Sequence, residues 1–315
     1  MYWVKSKLRG VALTVASEPR NIYRRALVVG TVRNASKFVT ADISRILQAL
    51  EPIIPAFAFI VESDSEDDTI EKLKTLCAVD SRVQFVSLGS LEHLFPERLA
   101  RLKHCRNVYL DQIKNNPVYS DCDLIVVADL DGINTAISQK EMRLALETKI
   151  KWDVLAANQT GPYYDILALR HPYWSPNSFV TEMEWLRPFI GKKAAWRHAL
   201  GDRMIRINPS LAPIEVDSAF GGLCIYKRWI LEKFDYSDDS PNAVADTDHV
   251  ILNRKAKTEG ALIYIHPGLV NSKWTTHSLD AVATIRFFKS VSHFFPLRVF
   301  LPVLRKLTIW VGTRK

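Results

Sequence analysis

Cysteine is scarce in this chain. Only Cys77, Cys105, Cys122 and Cys224 occur, with no C-x-x-C pair. That excludes a disulfide framework or a cysteine-rich zinc site as the organising principle, and it fits a reducing compartment. Long hydrophobic runs are missing too: none approaches the ~20 apolar residues of a membrane-spanning helix. The stretch Val11 to Ala16 is too short for the core of a signal peptide. There is no G-x-G-x-x-G fingerprint and no Walker loop, so nicotinamide and P-loop chemistry lose their main support. No repeat, low-complexity tract or Gly/Ser linker divides the 315 residues. With 48% hydrophobic and 24% charged residues, the composition is that of a globular α/β protein.

Acidic residues are absent from one region. Residues 281–315 hold seven Lys/Arg and no acid, and residues 1–25 carry a net +5. The overall +8 therefore leaves residues 26–280 at −4. A nucleic-acid enzyme carries its basic footprint on the folded body, so no nucleic-acid partner is expected. The C-terminal charges alternate with Phe287, Phe288, Phe294, Phe295, Phe300, Leu301, Leu304, Leu307 and Trp310. Basic residues and aromatics without acids form the pattern of a segment lying on an anionic membrane surface. Pro296 and Pro302 restrict it to short amphipathic pieces. The competing picture is a terminal helix packed on the domain with a solvated basic face. The expected organisation is a basic segment over residues 1–23, a catalytic domain over 24–280 and a basic aromatic segment over 281–315. The expected location is cytoplasmic and peripheral on the inner face of the cell membrane.

Along the body, strand and helix patterns alternate. Strands are expected at Ala26–Val32, Ala56–Val61, Val83–Leu88, Leu124–Ala128 and Val154–Ala157. Helices are expected at Val39–Leu50, Thr69–Cys77, Leu94–Ile113 and Gln139–Thr148. This order argues for a parallel sheet covered on both faces. Beyond Asn158 the pattern loosens, then tightens at Ser218–Tyr226, Asp246–Gly260 and Ala261–Ile265. The first half reads as nucleotide-binding and the second as shaping an acceptor pocket.

The most informative stretch is Asp123-Leu-Ile-Val-Val-Ala-Asp-Leu-Asp-Gly132. A run buried on both faces stops at two carboxylates spaced i, i+2, and ligands in open α/β sheets bind beyond the carboxyl ends of strands. Alternation puts Asp129 and Asp131 on one side of the chain, where two hard oxygen donors suit Mn2+ or Mg2+ completed by substrate phosphates. An Asp-x-Asp after a strand also serves as a turn and helix cap. Glu62 and Asp64 end the second strand and are candidates for a nucleotide's ribose hydroxyls, while Asp67 and Asp68 are candidates for capping the next helix. Arg98, Arg101 and Arg106 share the third helix; Arg106 is the candidate fork for a diphosphate, and Arg98 and Lys103 read as surface. Tyr163 to Arg170 reads, taken alone, as a strand with flanking charges. Asp246 and Asp248 begin a helical run, where capping alone explains an aspartate. His249, His266 and His277 each read singly as structural.

Taken together, Arg33-Asn34, Glu62-Ser-Asp-Ser, Arg101 with Arg106-Asn107, Ala128-Asp-Leu-Asp-Gly, Tyr164-Asp-Ile-Leu-Ala-Leu-Arg170, Phe220-Gly-Gly222, Asp246-Thr-Asp-His249 and Pro267-Gly-Leu-Val-Asn271 resemble the A-type (GT-A) glycosyltransferases. They are most similar to the fungal capsule-associated α-1,3-mannosyltransferases and, more distantly, to the yeast mannan-elongating mannosyltransferases. The resemblance runs over roughly residues 24–275. It implies a three-layer α/β/α sandwich with a mostly parallel central sheet, and a nucleoside-diphosphate-sugar donor held near Arg33, Glu62, Asp64, Arg106 and Asp129. It also implies a Mn2+ or Mg2+ ion at Asp129 and Asp131, and Asp165, Asp246, Asp248 and His249 on the acceptor side, with Asp165 and Asp248 counted among the catalytic residues. Two departures stand out. Some relatives give a late histidine to the metal; here the matching stretch reads Val270-Asn271-Ser272, leaving Asn271 or His266 for that part. The fungal relatives also carry an N-terminal membrane anchor, and no such anchor is expected here.

The expected activity is transfer of a sugar, mannose-type favoured, to a glycan or lipid-linked acceptor in polysaccharide biosynthesis. The alternatives are a catalytically inactive nucleotide-sugar-binding scaffold and a metal-dependent phosphohydrolase. The latter needs further acids near Asp131 for a second metal, and Gly132-Ile133 supplies none.

Overall fold

A computed structural model of the chain describes residues 23–237, 246–275 and 278. The basic C-terminal segment, His277, and all of the N-terminal segment except Tyr23 lie outside the described residues, and with them the membrane contact expected of the tail.

All nine expected first-half elements are present, with shifts at their ends, and the strands belong to a single mixed sheet. The strands are β1 (Arg25–Val32), β2 (Ala56–Glu62), β3 (Val83–Ser87), β4 (Cys122–Ala128), β5 (Val154–Gln159), β6 (Ile214–Glu215), β7 (Leu223–Lys227) and β8 (Ile263–Ser272). The helices are α1 (Val39–Leu50), α2 (Thr69–Val79), α3 (Arg98–Asn115), α4 (Gln139–Leu146), α5 (Phe179–Ile190), α6 (Lys192–Ala199), α7 (Arg228–Lys233) and α8 (Asp248–Thr258). The strand order is β3-β2-β1-β4-β7-β5-β8-β6. β3, β2, β1 and β4 are mutually parallel, as are β5 and β8. β7 runs antiparallel between β4 and β5, and β6 runs antiparallel at the edge beside β8.

Two cores make the fold a three-layer α/β/α sandwich. On one face Ala26, Val28, Ala58, Leu124 and Val126 pack against Ile43, Ile46 and Leu47 of α1, Leu73 and Leu76 of α2, and Met142 and Ala145 of α4. On the other, Leu27, Val29, Ile125, Val127 and Tyr226 pack against Tyr109, Leu110 and Ile113 of α3, Ile230 of α7 and Leu252 of α8. β1, β2 and β4 feed both cores alternately, which is why these parallel strands read as unbroken apolar runs.

Several expectations are corrected. Tyr163–Arg170 is an irregular turn joined to its neighbours by isolated bridges at Pro162 and Arg170, not a strand. Its charged and hydroxylated residues are used locally: the Asp165 carboxylate takes the Ala168 and Gly221 amides at 3.3 and 2.9 Å. α3 starts at Arg98 rather than Leu94, because Pro96 disfavours helical backbone at the residue before it. Asp68 occupies the N-cap of α2 without a side-chain cap bond; Asp67 accepts from the Thr69 amide instead, at 3.0 Å.

Candidate active site

The carboxyl edge of β4 is held by three elements. Asp129 donates its backbone N–H to the Gly222 carbonyl at 3.0 Å, in the turn leading into β7. Asn134 Nδ2 donates to the Asp129 carbonyl at 2.6 Å. The Gly132 N–H donates to Asp42 Oδ2 at 2.7 Å, so a buried carboxylate of α1 fixes the turn that aims Asp131. Gly132 sits at φ +94, and a Cβ there would meet the Phe38 ring at 2.7 Å. Across the seam Gly221 and Gly222 have φ +69 and +82, a conformation that favours glycine. The result leaves Asp131 exposed, Asp129 half-buried and Leu130 buried in the core. The pair therefore projects as strand alternation requires.

The two carboxylates line a cleft of about 270 Å³ whose other walls carry Arg33, Asp64, Arg98, Arg101 and Arg106. Arg98 is exposed but faces this cleft, so reading it as mere surface missed its position. A larger hollow of about 780 Å³ lies elsewhere, between Arg170, Trp185, Asp217, Asp246 and Arg254. Size favours the hollow, but the smaller cleft is where acids and arginines meet at strand ends, and chemistry is the better guide to a phosphate site.

Electrostatics single out Asp129. Burial, then the neighbouring Asp131 charge, with Asp165 and Asp248 adding, push its carboxyl up to about 7 despite the opposing Arg106. A carboxylate pair held against this repulsion is matched to a cation. Among the described residues no three His, Cys, Asp or Glu side chains converge to hold a metal by themselves. Asp129 and Asp131 fit an ion completed by diphosphate oxygens and water, the usual arrangement for Mg2+.

Arg106 and Asp248 form a buried ion pair beneath the cleft, with the guanidinium 5.3 Å from the Tyr236 ring. Burial works against the Asp248 charge, but Arg106 outweighs it and holds the carboxyl below its usual range. The same partnership reduces the freedom of Arg106 to grip a diphosphate. Asp165 is shifted upward by burial, against the Gly221 and Ala168 amides that favour its charge. His249 is buried, stacked on Phe220 at 3.7 Å and edge-on to Tyr236, and its ring nitrogens have no hydrogen-bond partner. Burial drives its imidazole down to about 3, so it is neutral. Asp246 is separate: it pairs with Arg170 at 2.5 Å and Arg254 at 2.9 Å on the wall of the large hollow. The expected acceptor set is thus divided: Asp165, Asp248 and His249 lie close to Asp129 or Arg106 without lining the cleft, and Asp246 is on the wall of the hollow.

On the donor side, Glu62 is fully buried, accepting from the Ser65 amide at 3.0 Å and from the Ser87 hydroxyl. Asp64, at φ +56, takes the Leu91 and Glu92 amides at 2.7 and 3.2 Å and lies 3.9 Å from Arg101. Although burial opposes it, these bonds keep the Asp64 carboxyl below its usual range. Glu62 and Asp64 shape the strand-end loops, and Asp64 also reaches the cleft wall. Arg33 donates to the Asp64 carbonyl at 3.2 Å and borders both the cleft and an adjoining recess of about 210 Å³.

Asn271 has a different place from the one expected of it. Its oxygen accepts from Gln159 at 3.0 Å, and its nitrogen donates to Asn134 at 3.0 Å and the Gly221 carbonyl at 2.9 Å. This buried amide network ties β8 and β5 to the turn behind Asp129, and it occupies the group that a metal would need. His266 is buried beside Gly268 and Leu144 of α4. Sequence reasoning missed Asp42, Asn134 and Gln159. Asp42 had one signal: an acid on the apolar face of an otherwise amphipathic helix.

No family model matches the chain, and no curated protein is significantly similar to it. Solved structures with a similar trace include a mannosyltransferase from Pyrobaculum calidifontis in complex with GDP-Man and Mn2+, at 14% identity and TM-score 0.46 over 81% of this chain and 58% of that one. S. aureus TarS residues 1–349 follows at 13% identity and TM-score 0.44, over 84% of this chain and 64% of that one. Mannosyl-3-phosphoglycerate synthase from Rubrobacter xylanophilus gives 14% and 0.38, over 87% and 77%. The chain spans less than two thirds of the first two.

Proposed function

We propose that the protein is a metal-dependent glycosyltransferase of the A type, using a nucleoside-diphosphate-sugar donor. The observation that carries the reading is one cleft at the carboxyl edge of β4, in which Asp129 and Asp131 face Arg33, Arg98, Arg101 and Arg106. Carboxylates for a divalent ion opposite guanidinium groups for phosphate oxygens are what a diphosphate leaving group requires. Asp129 and Asp131 would hold Mn2+ or Mg2+, whose contribution when bound is Lewis-acid stabilisation of the departing diphosphate. The diphosphate would lie against Arg98 and Arg101, with the nucleoside extending past Arg33 and Asp64 toward the adjoining recess. Arg106, held by Asp248, would present a fixed positive charge to the cleft in which the diphosphate lies. Asp165, tethered by Gly221, would face the acceptor.

The mannose preference and a polysaccharide role rest on the sequence resemblance alone. No described helix is long and apolar enough to cross a membrane, and a glycan or lipid-linked acceptor at a membrane surface suits the basic tail.

The test is a panel of nucleotide-sugars scored by thermal stabilisation with and without Mn2+, followed by donor hydrolysis. One donor should raise the melting temperature only with metal, since a ligand stabilises only the state it binds, and it should lose its sugar slowly to water. Asp129→Asn and Asp131→Asn should remove both effects while remaining folded. Binding without any turnover would leave the scaffold alternative; metal-independent turnover would reject the metal role of the two aspartates.

A further inference from the structure

A helical hairpin in the second half of the chain has a composition that the catalytic reading does not use. α5 contains no buried residue, although its sequence is rich in large apolar side chains. Trp185, Phe189 and Ile190 are 66%, 72% and 47% exposed. The Trp185 and Phe189 rings lie 5.3 Å apart, so they form one apolar tip and not scattered surface residues. Gly191, at φ +78 with open space around it, turns the chain into α6. Ala195 and Ala199 are the buried residues of α6, and Phe179, at the start of α5, packs against the core. From Trp185 to His198 there are four cations, Arg187, Lys192, Lys193 and Arg197, and no acid. All four are exposed.

An exposed apolar patch of this kind marks an interaction surface. Its rim identifies the partner. A second copy of the chain meeting it symmetrically would set the four cations against their own equivalents, which is repulsive. Protein interfaces in general are depleted in lysine. Exposed aromatic side chains followed in the chain by four exposed Lys and Arg, with Glu184 the one exposed acid beside them, match the boundary of an anionic bilayer, where rings sit at headgroup level and the cations reach phosphates.

We propose that the α5–α6 hairpin is a membrane-docking element. Phe189, Ile190 and Trp185 enter the headgroup layer of an anionic leaflet, and Arg187, Lys192, Lys193 and Arg197 pair with its phosphates. Docking by this route is independent of the transferase reading, and it uses none of the residues assigned to the cleft. Its geometric consequence is that the 780 Å³ hollow, which Glu182 and Trp185 help to line, opens at the lipid surface.

The test uses the full chain and vesicles of phosphatidylglycerol with phosphatidylcholine, against phosphatidylcholine alone. The wild type should co-sediment with the anionic vesicles and be released by salt. Lys192→Gln with Lys193→Gln should weaken partition about thirty-fold, given the usual contribution of each cation near such a surface. Phe189→Ser with Ile190→Ser should weaken it about tenfold or more. Both double variants should keep the wild-type melting temperature, because none of the four side chains is buried. Brominated lipid should quench tryptophan emission, and Trp185→Phe should lose part of that quenching while still binding. Unchanged partition in both double variants would overturn the proposal, placing any membrane affinity elsewhere in the chain. So would equal binding to neutral vesicles, or a lipid-free dimer dispersed by Phe189→Ser with Ile190→Ser.

Discussion

Asp129→Asn should trade activity for stability. In the metal-free protein the Asp129 carboxyl is raised from 3.8 to about 7. A carboxyl raised on folding contributes fully below its unfolded value, and the contribution is lost as pH climbs through the folded value. Three pKa units correspond to about 4 kcal/mol above pH 7, a ceiling that assumes complete desolvation. Asp129 is only half-buried by accessible surface, and the replacement amide has its own burial cost of about 1–3 kcal/mol. A net gain of about 2 kcal/mol at pH 8 is therefore expected, turning into a net loss of about 2 kcal/mol near pH 4, where the charge penalty is gone and the amide's burial cost remains. The measurement is urea unfolding in EDTA at pH 5 and pH 8 for both proteins. Wild type should lose stability between these values while the variant changes little, so the curves diverge with rising pH. Adding Mn2+ and donor should then stabilise the wild type alone. A variant equal to or weaker than wild type at pH 8 in EDTA would refute the account, because the repulsion between Asp129 and Asp131 would then not be stored in the fold.

Three further outcomes follow from other parts of the site. His249→Phe should flatten the acid limb of stability: an imidazole lowered to about 3 favours folding above its ordinary value and is lost as pH falls. At pH 4.5, two units below that ordinary value, the wild type should have given up about 3 kcal/mol that the variant retains in acid unfolding curves. Gly222→Ala meets φ +82 and the Tyr164 hydroxyl at 2.7 Å, so it should cost about 2 kcal/mol or more and raise the metal concentration needed for half-maximal activity. Asp42→Asn, which weakens the charged anchor of the Gly132 amide, should raise the apparent metal constant several-fold while altering the melting temperature much less than a core truncation such as Ile43→Ala.

Legibility in the sequence followed the range of the interactions. β1, α1, β2 and β4 were placed within a residue or two because each is dictated by its own periodicity. Asp129 and Asp131 were legible for the same reason: a strand end and a parity rule locate them. The Arg106–Asp248 pair joins two helices far apart in sequence, and either residue alone reads as a solvated or capping side chain. The turn at Tyr163–Arg170 has strand-like composition, but its backbone is claimed by Asp165 and by the Gly221–Gly222 seam, which local pattern does not contain. Asn271 was read by analogy with a ligand; its carboxamide is instead used to satisfy neighbouring buried polar groups. The antiparallel course of β7 was equally invisible, since an apolar run is compatible with either direction.

That course has a consequence for how the protein is made. β4 and β5 are successive strands in the chain, yet the sheet leaves a slot between them that only β7 closes. A ribosome that has released the chain through β5 has delivered both walls of the slot and not its filling. Two unpaired central edges are then exposed together, the situation in which intermediates recruit foreign strands. The arrival of β7 seals the slot and brings Gly222 to the Asp129 amide in the same motion. Donor affinity should therefore require β7, with α8 and β8 still to add Asp248 and Asn271 behind the cleft, and a translation intermediate stopped before β7 should bind chaperone and no nucleotide.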